Sequence, residues 1–155
     1  MKIERQKQIL IVEDDTLSRI TQKCMIESFS DMNVCAEFDN AEDGIKYLHQ
    51  NVSDIDLILM DATLPKMNGV EASKVIKNKY PSMKIVILVP YNSDKQVIST
   101  LFANADSYYI RDLGQDRLYD VLSQTLNNNG SIDKRIQCSL VEQIELGVFQ
   151  GVDIV

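Results

Sequence analysis

The chain has a single histidine, His49, no tryptophan and only three prolines among 155 residues. Its three cysteines, Cys24, Cys35 and Cys138, are odd in number and widely spaced, and no CxxC pair occurs. Scattered thiols and one imidazole do not make a zinc site, so the cysteines read as small hydrophobes in a reducing cytosol. No apolar stretch approaches the ~20 residues of a membrane span. The N-terminal MKIERQKQILIVEDD has a charged start, but acids follow at once and leave no signal-peptide h-region. A cytoplasmic location with no membrane partner is expected. Positive charge is also short, with 16 Lys and Arg against 23 Asp and Glu and a net charge of −7. A broad nucleic-acid surface needs clustered basic residues, so no direct nucleic-acid binding by residues 1–129 is expected. Neither GxGxxG nor GxxxxGK[ST] follows the first apolar run, which disfavours nucleotide binding of the Rossmann or P-loop kind.

What is present suits an ordinary globular core: 45% of residues are hydrophobic and 25% charged. The length fits one domain plus an appendage. Strand-like and helix-like segments alternate. QILIV (residues 8–12) is an apolar run before three acids, and TLSRITQKCMIESF sets Leu17, Ile20 and Cys24 at helical spacing behind an N-cap at Asp15 or Thr16. VCAEF (34–38) is a weak strand, and AEDGIKYLHQ aligns Ala41, Ile45 and Leu48. LILM (57–60) is a third strand, GVEASKVIKNKY a helix stopped by Pro81, and KIVILV (84–89) the purest β-branched run. SDKQVISTLFANA opens on a cap at Ser93 or Asp94, SYYI is a short fifth strand, and QDRLYDVLSQTLNNNG aligns Leu118, Leu122 and Leu126. Five such units predict an α/β fold with a parallel sheet covered on both faces.

In sheets of this kind, sites form beyond the carboxyl ends of the strands. Three of those ends carry charge: Glu13 and Asp14 after the first strand, Asp61 on the third, Arg111 after the fifth. Three carboxylates brought together repel one another, and a divalent cation removes that penalty. An oxygen-only site with few protein ligands suits Mg²⁺, which keeps several waters. A carboxylate beside Mg²⁺ can also attack phosphorus and become an aspartyl phosphate. A plainer reading remains open: Glu13, Asp14 and Asp15 simply cap the first helix, where negative charge favours the N-terminus. His49 falls on the polar side of its helix and takes no catalytic role, and Met25, Met32 and Met83 read as core fillers.

ILIVEDD, DLILMDATLPKMNG and ADSYYIRD, in this order and on this alternation, resemble the receiver domain of two-component response regulators over residues 8–127. The resemblance implies a doubly wound five-stranded parallel sheet, flavodoxin-like, with strand order 2-1-3-4-5. It implies a phosphoacceptor at Asp61 and an acidic pair at Glu13 and Asp14. It also implies Mg²⁺ held by these three side chains and the Thr63 backbone carbonyl. Pro65, Met67 and Gly69 match the following loop, where Gly69 can take φ > 0 without steric cost. Tyr108 matches the switch aromatic, and equally well an ordinary half-buried strand aromatic. The implied partners are a sensor histidine kinase or phosphotransfer protein, an output partner protein, and a second copy in a homodimer.

Two positions depart from that family. The fourth strand ends on Val89 and Pro90, where the family has Thr or Ser before a small residue; the fifth ends on Arg111, where the family has Lys. Val89 offers no donor to a phosphoryl oxygen, a charge-assisted hydrogen bond worth roughly 1.5–3 kcal/mol. That is enough to shift a two-state equilibrium about tenfold or more. Pro90 stiffens the loop that would move. Arg111 keeps the charge in a larger, planar form that either clamps Asp61 or faces solvent. The expectation is a Mg²⁺-dependent phosphoacceptor with impaired or atypical switching. Its enzymatic activity would be at most self-catalysed phosphoryl transfer to Asp61 and hydrolysis. One alternative is a phosphorylation-independent pseudo-receiver serving as an interaction module; another is a piece of a DNA-binding transcriptional regulator. A Mg²⁺-dependent phosphatase would want a second Asp where Thr63 stands.

Residues 1–129 form the expected receiver domain and 130–155 an amphipathic helical tail or linker. Ile132, Ile136, Leu140 and Ile144 recur every four residues of that tail.

Overall fold

The computed structural model describes residues 5–89, 105–110 and 115–129. The expected helix from Ser93 or Asp94, the positions Pro90, Arg111 and Cys138, and the tail after Gly130 lie outside the described residues.

The chain alternates strand and helix: β1 (Lys7–Val12), α1 (Thr16–Glu27), β2 (Met32–Phe38), α2 (Ala41–Asn51), a 3₁₀ turn (Val52–Asp54), β3 (Leu57–Asp61), α3 (Gly69–Lys79), β4 (Lys84–Val89), β5 (Ser107–Ile110) and α4 (Gln115–Leu126). The strands form one five-stranded sheet in the order β2-β1-β3-β4-β5, and each adjacent pair is parallel. The doubly wound fold expected from the alternation is the fold observed. β2 begins two residues before the expected VCAEF, at Met32, which is buried.

Alternate side chains of the central strands point to opposite faces, and each face has its own core. One gathers Leu10, Val12, Ile58, Met60, Ile85, Ile87, Val89 and Tyr108 with Ala41 and Leu48 of α2 and Ala72 and Ile76 of α3. The other gathers Ile9, Ile11, Leu57, Leu59, Val86, Leu88 and Tyr109 with Ile26 of α1 and Leu118, Val121 and Leu122 of α4. Continuous apolar runs in β1, β3 and β4 follow from this burial on both faces. Phe29, just past α1, meets Tyr119 of α4 edge-on at 4.9 Å between ring centroids.

The helix caps are chemical. Asp15 accepts from the Ser18 amide at 2.8 Å, Asn40 from Asp43 at 2.8 Å and Asn68 from Glu71 at 2.9 Å, opening α1, α2 and α3. The stripe of Leu17, Ile20 and Cys24 that predicts α1 turns out to face solvent, with Leu17 73% and Ile20 51% exposed. The buried positions of this helix are Gln22 and Ile26. No helix among the described residues is long and apolar enough to cross a membrane.

Burial separates the two cysteines that the structure describes. Cys35 is half-buried on β2, its thiol 3.4 Å from the Ile9 carbonyl, and desolvation pushes its pKa up, whereas Cys24 is exposed. Only the thiolate is nucleophilic. Iodoacetamide near pH 8 should therefore modify Cys24 roughly tenfold or more faster than Cys35, as read by peptide mass mapping. Equal rates would contradict this packing of β2.

Candidate functional site

The site grows from the register of two strands. Val12 of β1 pairs with Met60 of β3, so the next residues, Glu13 and Asp61, stand at the same level one strand apart. The Glu13 amide donates to the Phe38 carbonyl at 2.9 Å, extending the pairing of β1 and β2 by one step. Asp14 follows immediately. One carboxylate oxygen from each of Glu13, Asp14 and Asp61 lies within 4.8 Å of the others. Glu13 and Asp61 are buried, at 0% and 1% exposure, while Asp14 is exposed. The plain capping reading accounts for one acid only: Asp15 caps α1, and Glu13 and Asp14 turn to the cluster.

Asp61 and Glu13 are held by neighbours that periodicity in the sequence does not reveal. The Thr63 amide and hydroxyl both donate to Asp61 Oδ1, at 3.1 Å each. The Gln22 amide group donates to Glu13 Oε1 at 3.0 Å, and Arg19 donates to the Glu13 carbonyl at 2.8 Å. Arg19 is also 3.5 Å from Glu37, which Lys23 approaches at 3.3 Å.

The loop from β3 to α3 is pinned close by. The Met67 amide donates to Glu42 of α2 at 3.0 Å, and Lys66 takes the left-handed conformation at φ 60°. Gly69 was expected to supply a positive φ, but the backbone places that turn at Lys66. Gly69 is needed for closeness: its amide donates to the Ala62 carbonyl at 3.1 Å, and a Cβ there would lie 2.2 Å from the Asp61 carbonyl oxygen. Beside the cluster opens a cleft of about 440 Å³ lined by Asp14, Asp39, Asn40, Glu42, Asp43, Pro65 and Lys66. A larger groove, about 540 Å³, lies at the amino ends of the strands around Lys7, Tyr80 and Lys84, away from the acids.

The donor set fits a hard divalent cation. It offers carboxylate oxygens and no nitrogen or sulfur. Oxygens on one octahedral Mg²⁺ lie about 3.0 Å apart in cis and about 4.2 Å in trans, so the three side chains would draw together to share one ion.

The remaining site positions have mixed outcomes. Val89 is fully buried in the same core as Tyr108, which is 5% exposed. Desolvation raises the Tyr108 pKa, so the ring carries a neutral phenol at neutral pH. Arg111 follows Ile110, the β5 partner of Val89, and itself lies outside the described residues.

Fold and cluster together define a doubly wound α/β protein with an acidic, oxygen-only centre at the carboxyl ends of its strands, where ligands of such sheets bind. The chain belongs to the response regulator receiver domain family, whose pattern matches residues 9–123. It is 30% identical over 128 residues to the response regulator protein VraR of Staphylococcus saprophyticus, covering 83% of this chain and 60% of VraR. It is 33% identical over 116 residues to the nitrate/nitrite response regulator protein NarL of Escherichia coli K12, covering 75% of this chain and 53% of NarL. It therefore spans little more than half the length of these curated relatives. In fold it resembles RcsB of Salmonella typhimurium, a response regulator studied for its conformational dynamism in DNA interaction. The TM-score is 0.81 at 19% identity, over 98% of this chain and 73% of RcsB.

These comparisons correct one expectation. The partner set of kinase or phosphotransfer protein, output protein and homodimer, with no nucleic acid contacted by residues 1–129, left DNA out, and RcsB, a neighbour in fold, is also known as two dimers bound to two parallel DNAs. The exclusion came from the net charge of −7. That sum counts only the residues present here and does not speak for the 40–47% of VraR and NarL that the chain leaves unmatched.

Proposed function

We propose that this receiver is a Mg²⁺-dependent phosphoacceptor at Asp61, working in the cytosol. The observation that carries the reading is the meeting of Glu13, Asp14 and Asp61 oxygens within 4.8 Å. Glu13, Asp14, Asp61 and the Thr63 backbone carbonyl would hold the ion, which when bound neutralises charge on the transferring phosphoryl group. Asp61 supplies the nucleophile. One of its carboxylate oxygens forms a bond to phosphorus as the bond from phosphorus to the donor's leaving group breaks, and the leaving group keeps the electron pair. The product is a mixed anhydride that water later hydrolyses. Thr63, donating twice to Asp61 Oδ1, keeps the side chain in one orientation. Arg111 stands in the sequence where the family has Lys and keeps a positive charge at that position.

Residues 1–129 are the receiver unit in this reading, and 130–155 an amphipathic tail or linker. The relationship to VraR and NarL, with RcsB's interaction with DNA, supports transcriptional control as the downstream effect.

Incubation with acetyl phosphate and Mg²⁺, read by intact mass, tests the chemistry. The native chain should gain one phosphoryl group and Asp61→Asn none. Modification that survives in Asp61→Asn would overturn the assignment.

Buried Val89 and Tyr108 favour a second reading, in which output does not follow phosphorylation. Val89 brings no donor to a phosphoryl group, and Tyr108 is packed inward in the same core. The same phosphorylated sample should then show amide exchange at residues 105–110 unchanged. Strongly altered exchange there would restore ordinary switching.

A further inference from the structure

We infer that Gln22 is a positioning residue that sets the affinity of the Glu13, Asp14 and Asp61 cluster for a divalent cation; the inference rests on the metal-site reading above. Gln22 lies in α1, only 8% exposed, and shares the buried side of that helix with Ile26, a residue of the apolar core. A leucine would suit that position by packing alone. The amide instead donates to Glu13 Oε1 at 3.0 Å. Its own Oε1 is buried and has no hydrogen-bond partner among the described residues. Packing does not explain a buried polar group left half satisfied.

Holding Glu13 does explain it. Glu13 is fully buried, and its long side chain has several torsions to fix. The Asp15 amide donates to the other oxygen, Oε2, at 3.4 Å. Gln22 sits on a helix tied to the Glu13 backbone through Arg19, so the donor is rigidly placed relative to the carboxylate. Its neutrality matters as much as its position. A Lys or Arg in that place would cancel the charge that attracts a cation, whereas an amide orients the carboxylate and leaves it negative. Hydrogen-bond partners behind a ligating group are typically worth 10–100-fold in metal affinity.

The test uses the full chain and Mn²⁺ as a paramagnetic stand-in for Mg²⁺, with the dissociation constant read by electron paramagnetic resonance. Gln22→Leu and Gln22→Met remove the donor at similar volume, and either one suffices if the other folds poorly. Both should bind Mn²⁺ roughly tenfold or more weakly. Their metal-free melting temperature should change little, because losing the half-satisfied amide offsets leaving Glu13 Oε1 without that donor. Ser73→Ala removes a buried hydroxyl on α3 that has no hydrogen-bond partner among the described residues, and should leave the affinity unchanged. A folded Gln22 variant within twofold of the native affinity overturns the assignment while the metal site stands. No Mn²⁺ uptake by the native chain overturns the metal-site reading and this inference with it.

Discussion

Gly69→Ala is expected to lower stability by about 3 kcal/mol, a fall in melting temperature of roughly 6–12 °C for a chain of this size. The added methyl would meet backbone: the Asp61 carbonyl oxygen at 2.2 Å and the Ala62 Cα at 2.9 Å. Backbone at a strand end cannot turn away as a side-chain tip can, so α3 must back off or β3 must bend. Either movement breaks the bond from the Gly69 amide to the Ala62 carbonyl and drags Asp61 from its partners. Gly44 supplies the contrast. A Cβ there would lie 3.0 Å from Val12 Cγ2, the far end of a side chain. Alanine also gains up to about 1 kcal/mol over glycine inside a helix, so Gly44→Ala should be close to neutral. Differential scanning calorimetry of both variants separates the cases. A Gly69→Ala protein as stable as Gly44→Ala would mean that α3 does not approach β3 this closely.

Position-by-position legibility follows from which forces are local. β4 is read to the residue, Lys84–Val89, because a β-branched run buried on both faces has few other uses. Glu13, Asp14 and Asp61 are legible as a cluster because parallel register places equivalent strand ends together, and that needs only the alternation of elements. The buried face of α1 is not legible. Its apolar spacing gives the helix correctly, yet Leu17 and Ile20 face water and a glutamine goes inside. Periodicity ranks residues by hydrophobicity, and Gln22 is buried for a hydrogen bond to a residue nine positions earlier. The grip of Glu42 on the Met67 amide, 25 residues away, is likewise invisible to any local pattern. Gly69 shows a subtler loss: the sequence marks the right residue but suggests torsional freedom, whereas the fold uses the absence of a Cβ. The partner expectation erred for another reason, since a net charge has no address within a longer relative.

Magnesium should stabilise the native chain by about 2.7 kcal/mol when its concentration is a hundredfold above the dissociation constant, because only the folded state assembles the three acids. Thermal melting with Mg²⁺ and with a chelator gives the difference directly. Asp14→Asn is the sharpest control. Asp14 is exposed, so its replacement leaves the core untouched, yet it supplies one of the three oxygens. In chelator the variant should melt no lower than the native chain, since one of three mutually repelling carboxylates is gone. In Mg²⁺ most of the added stability should vanish. The sign of the change therefore differs between the two buffers, which a general loss of folding cannot imitate. Equal Mg²⁺ stabilisation in Asp14→Asn and the native chain would place the ion away from this cluster and remove the basis for phosphoryl transfer at Asp61. Potassium chloride at matched ionic strength belongs in every comparison. Screening alone relieves some repulsion among clustered carboxylates, and only the excess over that relief reports a bound ion.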